Sequence, residues 1–111
     1  MLTVDKLRDF GANVDEGVMR CIGKEEFYLM LVGKVIGDKT LTSLEAQLKD
    51  KDFASAFESA HALKGMYANL SLDPLTKPIS EMTELLRSRT DTDYTMLLEE
   101  AKTQFEKLCS L

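Results

Sequence analysis

The sequence predicts an all-α protein, an antiparallel up-down four-helix bundle with short additional helices at its N-terminus. Apolar residues recur at three- and four-residue intervals through most of the chain, the period that gathers side chains on one face of a helix. Short turns join these segments, and no strand-like alternation, internal repeat or low-complexity segment interrupts them. The length of 111 residues suits a single domain covering residues 1–111.

Two short helices are predicted at the N-terminus, each with a polar N-cap and a glycine behind it. The first helix runs from Val4 to Phe10, with Thr3 as its N-cap and Gly11 after its end. The second helix starts after its N-cap Asn13, runs to Arg20 or Ile22 and ends before Gly23. Their apolar faces are too narrow for independent stability. We therefore expect them to form a lid over one end of the bundle.

The next predicted helix, from about Lys24 to Ile36, is apolar well beyond one face. Either the lid covers its second side, or Phe27 and Met30 contribute to a docking surface for another protein. A segment from Thr40 to Lys49 follows. It is either a separate helix or a continuation of the previous one after a kink at Gly37.

The longest amphipathic helix is predicted from Phe53 to Leu70, with Asp52 as its N-cap. Its buried face comprises Phe53, Ala56, Phe57, Ala60, Leu63, Tyr67 and Leu70. His61, the single histidine of the chain, falls roughly 120° from the centre of this face at about 100° per residue. Its ring is therefore expected to reach solvent.

Two further helices complete the predicted bundle. The first is expected to start at the N-cap Asp73, with Pro74 in its first position, and to run to about Arg89. Pro78 lies inside its second turn, where it removes a backbone donor and is expected to bend the entry of the helix. The last helix is predicted from about Asp93 to Leu108.

The residues beside His61 point to phosphoryl chemistry. A neutral imidazole is a competent nucleophile near pH 7, and Lys64, three residues later, would stabilise an attached phosphoryl group. Gly65 costs a helix about 1 kcal/mol relative to alanine, which points to a need for space beside the ring. A lone histidine near an apolar face is more often structural, so its neighbours decide this interpretation.

The segment His61-Ala62-Leu63-Lys64-Gly65, followed by Ala68-Asn69-Leu70, resembles the motif of histidine-containing phosphotransfer (HPt) domains. Residues 22–28 and 51–53 resemble the family's entries to its first long helix and to its histidine helix, so the resemblance extends over nearly the whole chain. The chain departs from the family at Met66 and Tyr67, where small residues are common, at Ser71, where glycine is common, and at Pro78, where a core aliphatic is common. Tyr67 is expected in the core and Met66 on the surface.

The resemblance implies that His61 accepts a phosphoryl group from an aspartate of a receiver domain and passes it to another receiver. Lys64 would be the charge partner and Gly65 the clearance at the transfer site. Receiver domains of response regulators or hybrid histidine kinases are the implied partners, and Mg²⁺ is expected on the receiver. Met66 and Ala68, together with Phe27 and Met30, are candidates for partner docking.

Several other classes are disfavoured. The formal net charge of −5 and the absence of a basic cluster argue against nucleic-acid binding. No Gly-rich phosphate loop or acidic metal site accompanies His61, so the chain has no evident way to use ATP. Cys21 and Cys109 do not form a zinc motif. Without a signal-like N-terminus or a membrane-length apolar run, we expect a cytoplasmic protein, either free-standing from Met1 or part of a longer protein. We expect a monomer, because no spare heptad face remains for a dimer.

Two alternatives stay open. The chain could be a non-catalytic HPt-like helical adaptor whose Phe27 and Met30 surface binds a signalling partner without phosphotransfer. It could also be a small enzyme with His61 as general base, although no nucleophile or carboxylate partner lies nearby in sequence. A pocket at His61 would favour the enzyme, and an exposed ring on a convex surface would favour phosphotransfer.

Overall fold

The computed structural model describes residues 1–111 and contains helices and turns without a strand. The predicted all-α class is therefore confirmed. Seven helices follow one another: α1 Val4–Phe10, α2 Val14–Arg20, α3 Glu25–Ile36, α4 Thr40–Lys49, α5 Phe53–Asn69, α6 Asp73–Arg87 and α7 Thr95–Cys109. None of the seven combines the length and the apolar character that crossing a membrane requires.

Local capping explains where the early helices begin. The Thr3 hydroxyl accepts a hydrogen bond from the Lys6 amide at 3.2 Å, and the Asn13 side chain accepts one from the Glu16 amide at 3.3 Å. Gly11 ends α1 in the left-handed region at φ 113°. These three predicted helix boundaries are confirmed, because each depends on hydrogen bonds within a few residues.

A break separates α3 from α4, so the alternative of one kinked helix is wrong. Gly37 is the C-cap of α3, and the Asp38 carboxylate accepts a hydrogen bond from the Thr40 amide at 2.8 Å. This short side-chain contact starts the new helix, because it satisfies a backbone donor that has no partner within the helix.

The boundaries of the last three helices show both agreement and corrections. Asp52 caps α5 as predicted, through the Ser55 amide at 3.3 Å. The N-cap of α6 is Leu72 rather than Asp73, which instead places an acidic group in the first turn, where the helix dipole favours negative charge. The helix α6 ends two residues earlier than predicted, at Arg87, and α7 begins at Thr95 rather than Asp93.

Pro78 lies inside α6 and is buried, and the helix continues past it to Arg87. Proline in a helix interior removes one backbone hydrogen bond. The buried apolar side chains that surround it in sequence, Leu75, Ile79 and Met82, hold the helix against the core. Tertiary packing therefore compensates for an unfavourable local residue.

The core is one continuous cluster of 22 buried apolar residues. The helix α5 packs between α4 and α6, and α7 packs along α6. Lys102 of α7 reaches Glu45 of α4 at 2.7 Å, which links the first and last of these four helices. The chain order and the short turns thus place α5 in the middle, with one face buried and the other available.

The N-terminal helices pack on the end where α5 and α7 finish. The Lys6 ammonium donates to the Leu111 carbonyl at 3.1 Å, and the Asn13 amide donates to the Ser71 carbonyl at 2.9 Å. The buried Tyr28 hydroxyl donates to the Leu70 carbonyl at 2.8 Å. The predicted lid is present at this end. It leaves Phe27 and Met30 38% and 48% exposed, so the second side of α3 is not fully covered.

Candidate functional site

His61 lies on the exposed side of α5, opposite the buried Ala60, Leu63 and Tyr67. Its ring stacks on the ring of Phe57, with centroids 5.7 Å apart and planes inclined by 18°. The two residues are four apart, the spacing that brings side chains together on a helix. Because Phe57 is itself half-buried against the core, it supports the imidazole from one side while solvent reaches the ring.

Lys64, the cation predicted to act beside His61, has a partner that the sequence did not reveal. The Lys64 ammonium lies 3.6 Å from a carboxylate oxygen of Glu84 on α6. The other oxygen of Glu84 lies 3.4 Å from the Arg87 guanidinium. Glu84 therefore stands between two cations, on the helix that packs beside α5.

Arg87 is also linked to His61 through Phe57. The guanidinium carbon of Arg87 lies 5.2 Å from the centroid of the Phe57 ring, within the range of a cation–π contact. The site thus comprises five side chains in contact. Three of them, Phe57, His61 and Lys64, come from α5, and the others, Glu84 and Arg87, come from α6.

Gly65 has no internal packing reason to be glycine. A Cβ built at this position would meet no atom within 4 Å outside its own helix backbone, and its backbone does not lie in the left-handed region. Gly33 on α3 is equally open. Open space at a glycine is therefore not in itself a site, and at Gly65 it leaves the surface of α5 open four residues after His61.

The predicted docking residues fall in different surroundings. Phe27 and Met30 border a depression at the start of α3, together with residues 24–26. Met66 is half-buried rather than exposed as predicted, because it packs at a groove of about 250 Å³ between α3 and the end of α5. Ala68 is half-buried, and its carbonyl accepts a hydrogen bond from Arg20 at 3.3 Å. Phe27 and Met30 thus share one depression, and Met66 lines a separate groove.

Three members of this site were not identified from the sequence, namely Phe57 as a contact of His61, Glu84 and Arg87. Phe57 could have been found, because it precedes His61 by four residues on the same helix. Glu84 and Arg87 could not, because they are 23 and 26 residues away from His61 and their approach depends on the packing of α6 against α5.

Comparison with known families adds an independent observation. The family model of the Hpt domain matches residues 37–110. The chain belongs to the Hpt domain family. The match includes α4 to α7 and every residue of the site around His61, and it leaves out α1 to α3, so the resemblance predicted for residues 22–28 lies outside it. No curated protein and no solved structure matches the chain.

Hpt domains act in histidine phosphotransfer within phosphorelays, as phosphocarriers rather than kinases, and they interact with receiver domains. In this Hpt domain the single histidine is exposed on a helix surface, with a cation three residues further along. This arrangement suits an intermediate that must be reached by another folded protein.

Proposed function

We propose that this Hpt domain is a phosphotransfer intermediate of a multistep phosphorelay, in which His61 accepts a phosphoryl group from a receiver aspartate and passes it to another receiver. The observation that supports this proposal most directly is the exposed ring of His61, with Lys64 and Gly65 beside it. The family match covers these three residues. A general base in an enzyme would instead need a substrate pocket around the ring.

The transfer requires only one nucleophile from this chain. A neutral ring nitrogen of His61 attacks the phosphorus of an aspartyl phosphate. A nitrogen–phosphorus bond forms as the bond between phosphorus and the aspartate oxygen breaks. The aspartate leaves as a carboxylate with the electron pair. The proton on the other ring nitrogen stays on the imidazole, and the reverse sequence delivers the group to the next receiver.

The neighbours of His61 would act on charge and access. Lys64 places a positive charge one helical turn from the attacking nitrogen, where it would offset the negative charge of the transferred group. Gly65 leaves room for the receiver's loops. The receiver would supply Mg²⁺, and we propose no metal on this chain.

We propose that α4 to α7 form an antiparallel up-down four-helix bundle, that residues 1–111 act as one domain, and that the protein is a monomer. The receiver would cover the α5 surface around His61 and extend to Met66 and Ala68. Phe27 and Met30, both exposed, would enlarge the docking surface from α3. Contacts of this kind between signalling proteins are typically small and transient.

Phosphoryl transfer from a panel of phosphorylated receiver domains would test the proposal. We expect at least one receiver to transfer an acid-labile, alkali-stable label to the wild type and none to His61→Gln. Because His61 is the single histidine, this one substitution removes every imidazole from the protein. Circular dichroism and thermal melting of the variant would confirm that its fold is retained.

Two results would contradict the proposal. Label that persists in His61→Gln would place the phosphoryl group on another residue. A receiver that binds the protein without transferring label, while it transfers to a control Hpt domain, would instead identify a helical adaptor.

A further inference from the structure

The side chain of Glu84 lies at the proposed transfer site but has no role in the chemistry described so far. Its two carboxylate oxygens face two different cations, Lys64 at 3.6 Å and Arg87 at 3.4 Å. Lys64 is the cation proposed to interact with the transferred group. The same ammonium is therefore already paired when His61 carries no phosphoryl group.

These contacts add little to folding. The side chains of Lys64, Glu84 and Arg87 are 37%, 59% and 50% exposed. Ion pairs at such exposed positions are screened by water and salt, and their energies are small. The pair can therefore open at little cost, and a stronger anion near Lys64 would take its place.

A phosphoryl group on His61 would be such an anion. It carries close to two negative charges near neutral pH, against one on Glu84, and it has three acceptor oxygens. Lys64 lies three residues from His61 on the same helix, so its ammonium can turn from Glu84 towards the new group. Glu84 and the phosphoryl group would then compete for one cation.

We propose that Glu84 is a positioning residue that holds Lys64 in the unphosphorylated protein and competes with phosphorylated His61 for it. This inference rests on the proposed phosphotransfer function. If Lys64 must leave Glu84 to reach the phosphoryl group, the free energy of breaking the Lys64–Glu84 pair makes phosphorylation of His61 less favourable. Transfer of the phosphoryl group from His61 to the next receiver is therefore more favourable than it would be if Lys64 had no partner in the unphosphorylated protein.

The equilibrium distribution of label between this protein and its receiver would test the inference. The full chain would be labelled with phosphoramidate, which transfers its phosphoryl group to the imidazole and releases ammonia, and then mixed with the receiver and Mg²⁺. We expect Glu84→Gln to raise the ratio of phosphorylated protein to phosphorylated receiver about two- to fivefold, the range set by exposed ion pairs. Lys64→Gln should lower that ratio.

Two comparisons separate the competition from a general effect of charge. Glu81→Gln removes the same charge from an exposed position on the same helix, one turn away, and should change the ratio little. In a Lys64→Gln background, the effect of Glu84→Gln on the ratio should fall by at least half, because the cation for which Glu84 and the phosphoryl group compete is absent. Raising the salt concentration should weaken the effect of Glu84→Gln in the wild-type background.

The outcomes distinguish this inference from the proposed function. If the receiver exchanges label with His61 but Glu84→Gln leaves the ratio unchanged, the competition is wrong and phosphotransfer stands. An equal effect of Glu84→Gln with and without Lys64 would also overturn it, since simple repulsion would explain that result. If no receiver exchanges label with His61, both proposals fail.

Discussion

The middle of α5 and its C-terminal end make contacts of opposite kinds. Around His61, the contacts with α6 are exposed ion pairs and ring contacts that can open without exposing core. At the end of the helix, the Leu70 carbonyl accepts a buried hydrogen bond from Tyr28, and Gly17 presses against the same tyrosine ring. The contacts from α2 and α3 therefore fix the histidine helix at one end, while its surface around His61 stays exposed.

The comparison predicts that mutations at the buried end change stability and that mutations at the exposed middle change transfer. The buried end should respond strongly, because its groups have no solvent to replace a lost contact. The exposed middle should respond weakly in stability.

Alkaline pH should have the largest effect, through the buried phenols. Burial raises the pKa of Tyr28 from 10.0 to about 12, and it raises the pKa of Tyr67 as well. Between these values the unfolded chain has lost phenolic protons that the folded chain retains, so stability falls as pH rises from about 10 to 12. A shift of two pKa units at Tyr28 corresponds to a loss of roughly 2–3 kcal/mol in the free energy of unfolding. Urea unfolding at pH 9 and pH 12 would measure the loss, and a flat profile would contradict it.

Gly17→Ala should destabilise the fold by about 1–3 kcal/mol in chemical unfolding. A Cβ at this position would clash with a ring carbon of Tyr28 and lie 2.9 Å from the Leu70 carbonyl oxygen, so α2 must move away. The movement would disturb the lid. Alanine in an unobstructed helix would instead increase the stability of the protein. Such an increase would show that α2 does not lie this close to Tyr28.

Tyr28→Phe should cost about 1–2 kcal/mol, because it leaves the Leu70 carbonyl without the hydroxyl that donates to it. The variant should also lose less stability between pH 10 and pH 12 than the wild type. Tyr94→Phe is a useful control, since the Tyr94 hydroxyl donates to the Thr90 carbonyl only four residues away. If both variants lost the same stability, the long-range contact would have no special importance.

Gly65→Ala should stabilise the protein by about 0.5–1 kcal/mol and slow phosphoryl transfer from the receiver about tenfold or more. The added methyl group meets nothing within this chain and would meet the approaching partner. Gly33→Ala is the matched control, because its surroundings are equally open and it lies on α3. It should bring a similar gain in stability and slow transfer less than Gly65→Ala does, because it lies away from His61. Equal transfer rates in the two variants would contradict the clearance role of Gly65.

Much of the fold could be predicted from local patterns, and the misses are informative. Thr3, Asn13 and Asp52 cap their helices as predicted, because each side chain reaches an amide three residues further along. Asp73 also resembled an N-cap, but the helix starts at it, after Leu72, which is fully buried. The N-cap therefore lies one residue before the predicted one, at a buried leucine.

Part of the site could be predicted in the same way. The exposure of the His61 ring depends on its angle around α5, which the apolar spacing alone indicates. The half-burial of Met66 could not be predicted, because it depends on how α3 lies against the end of α5.

The all-α class, most of the helix boundaries and the side of α5 on which His61 lies could be predicted from the sequence alone. Hydrogen bonding and apolar period, which set them, act over a few residues. Tertiary packing was needed to bring Glu84 to Lys64, and to bring Gly17 and Tyr28 together at the end of the histidine helix. These contacts join residues that are 20 and 11 positions apart in the chain, on different helices. Their distances depend on the register between packed helices, which the burial of the whole core sets and no local pattern encodes.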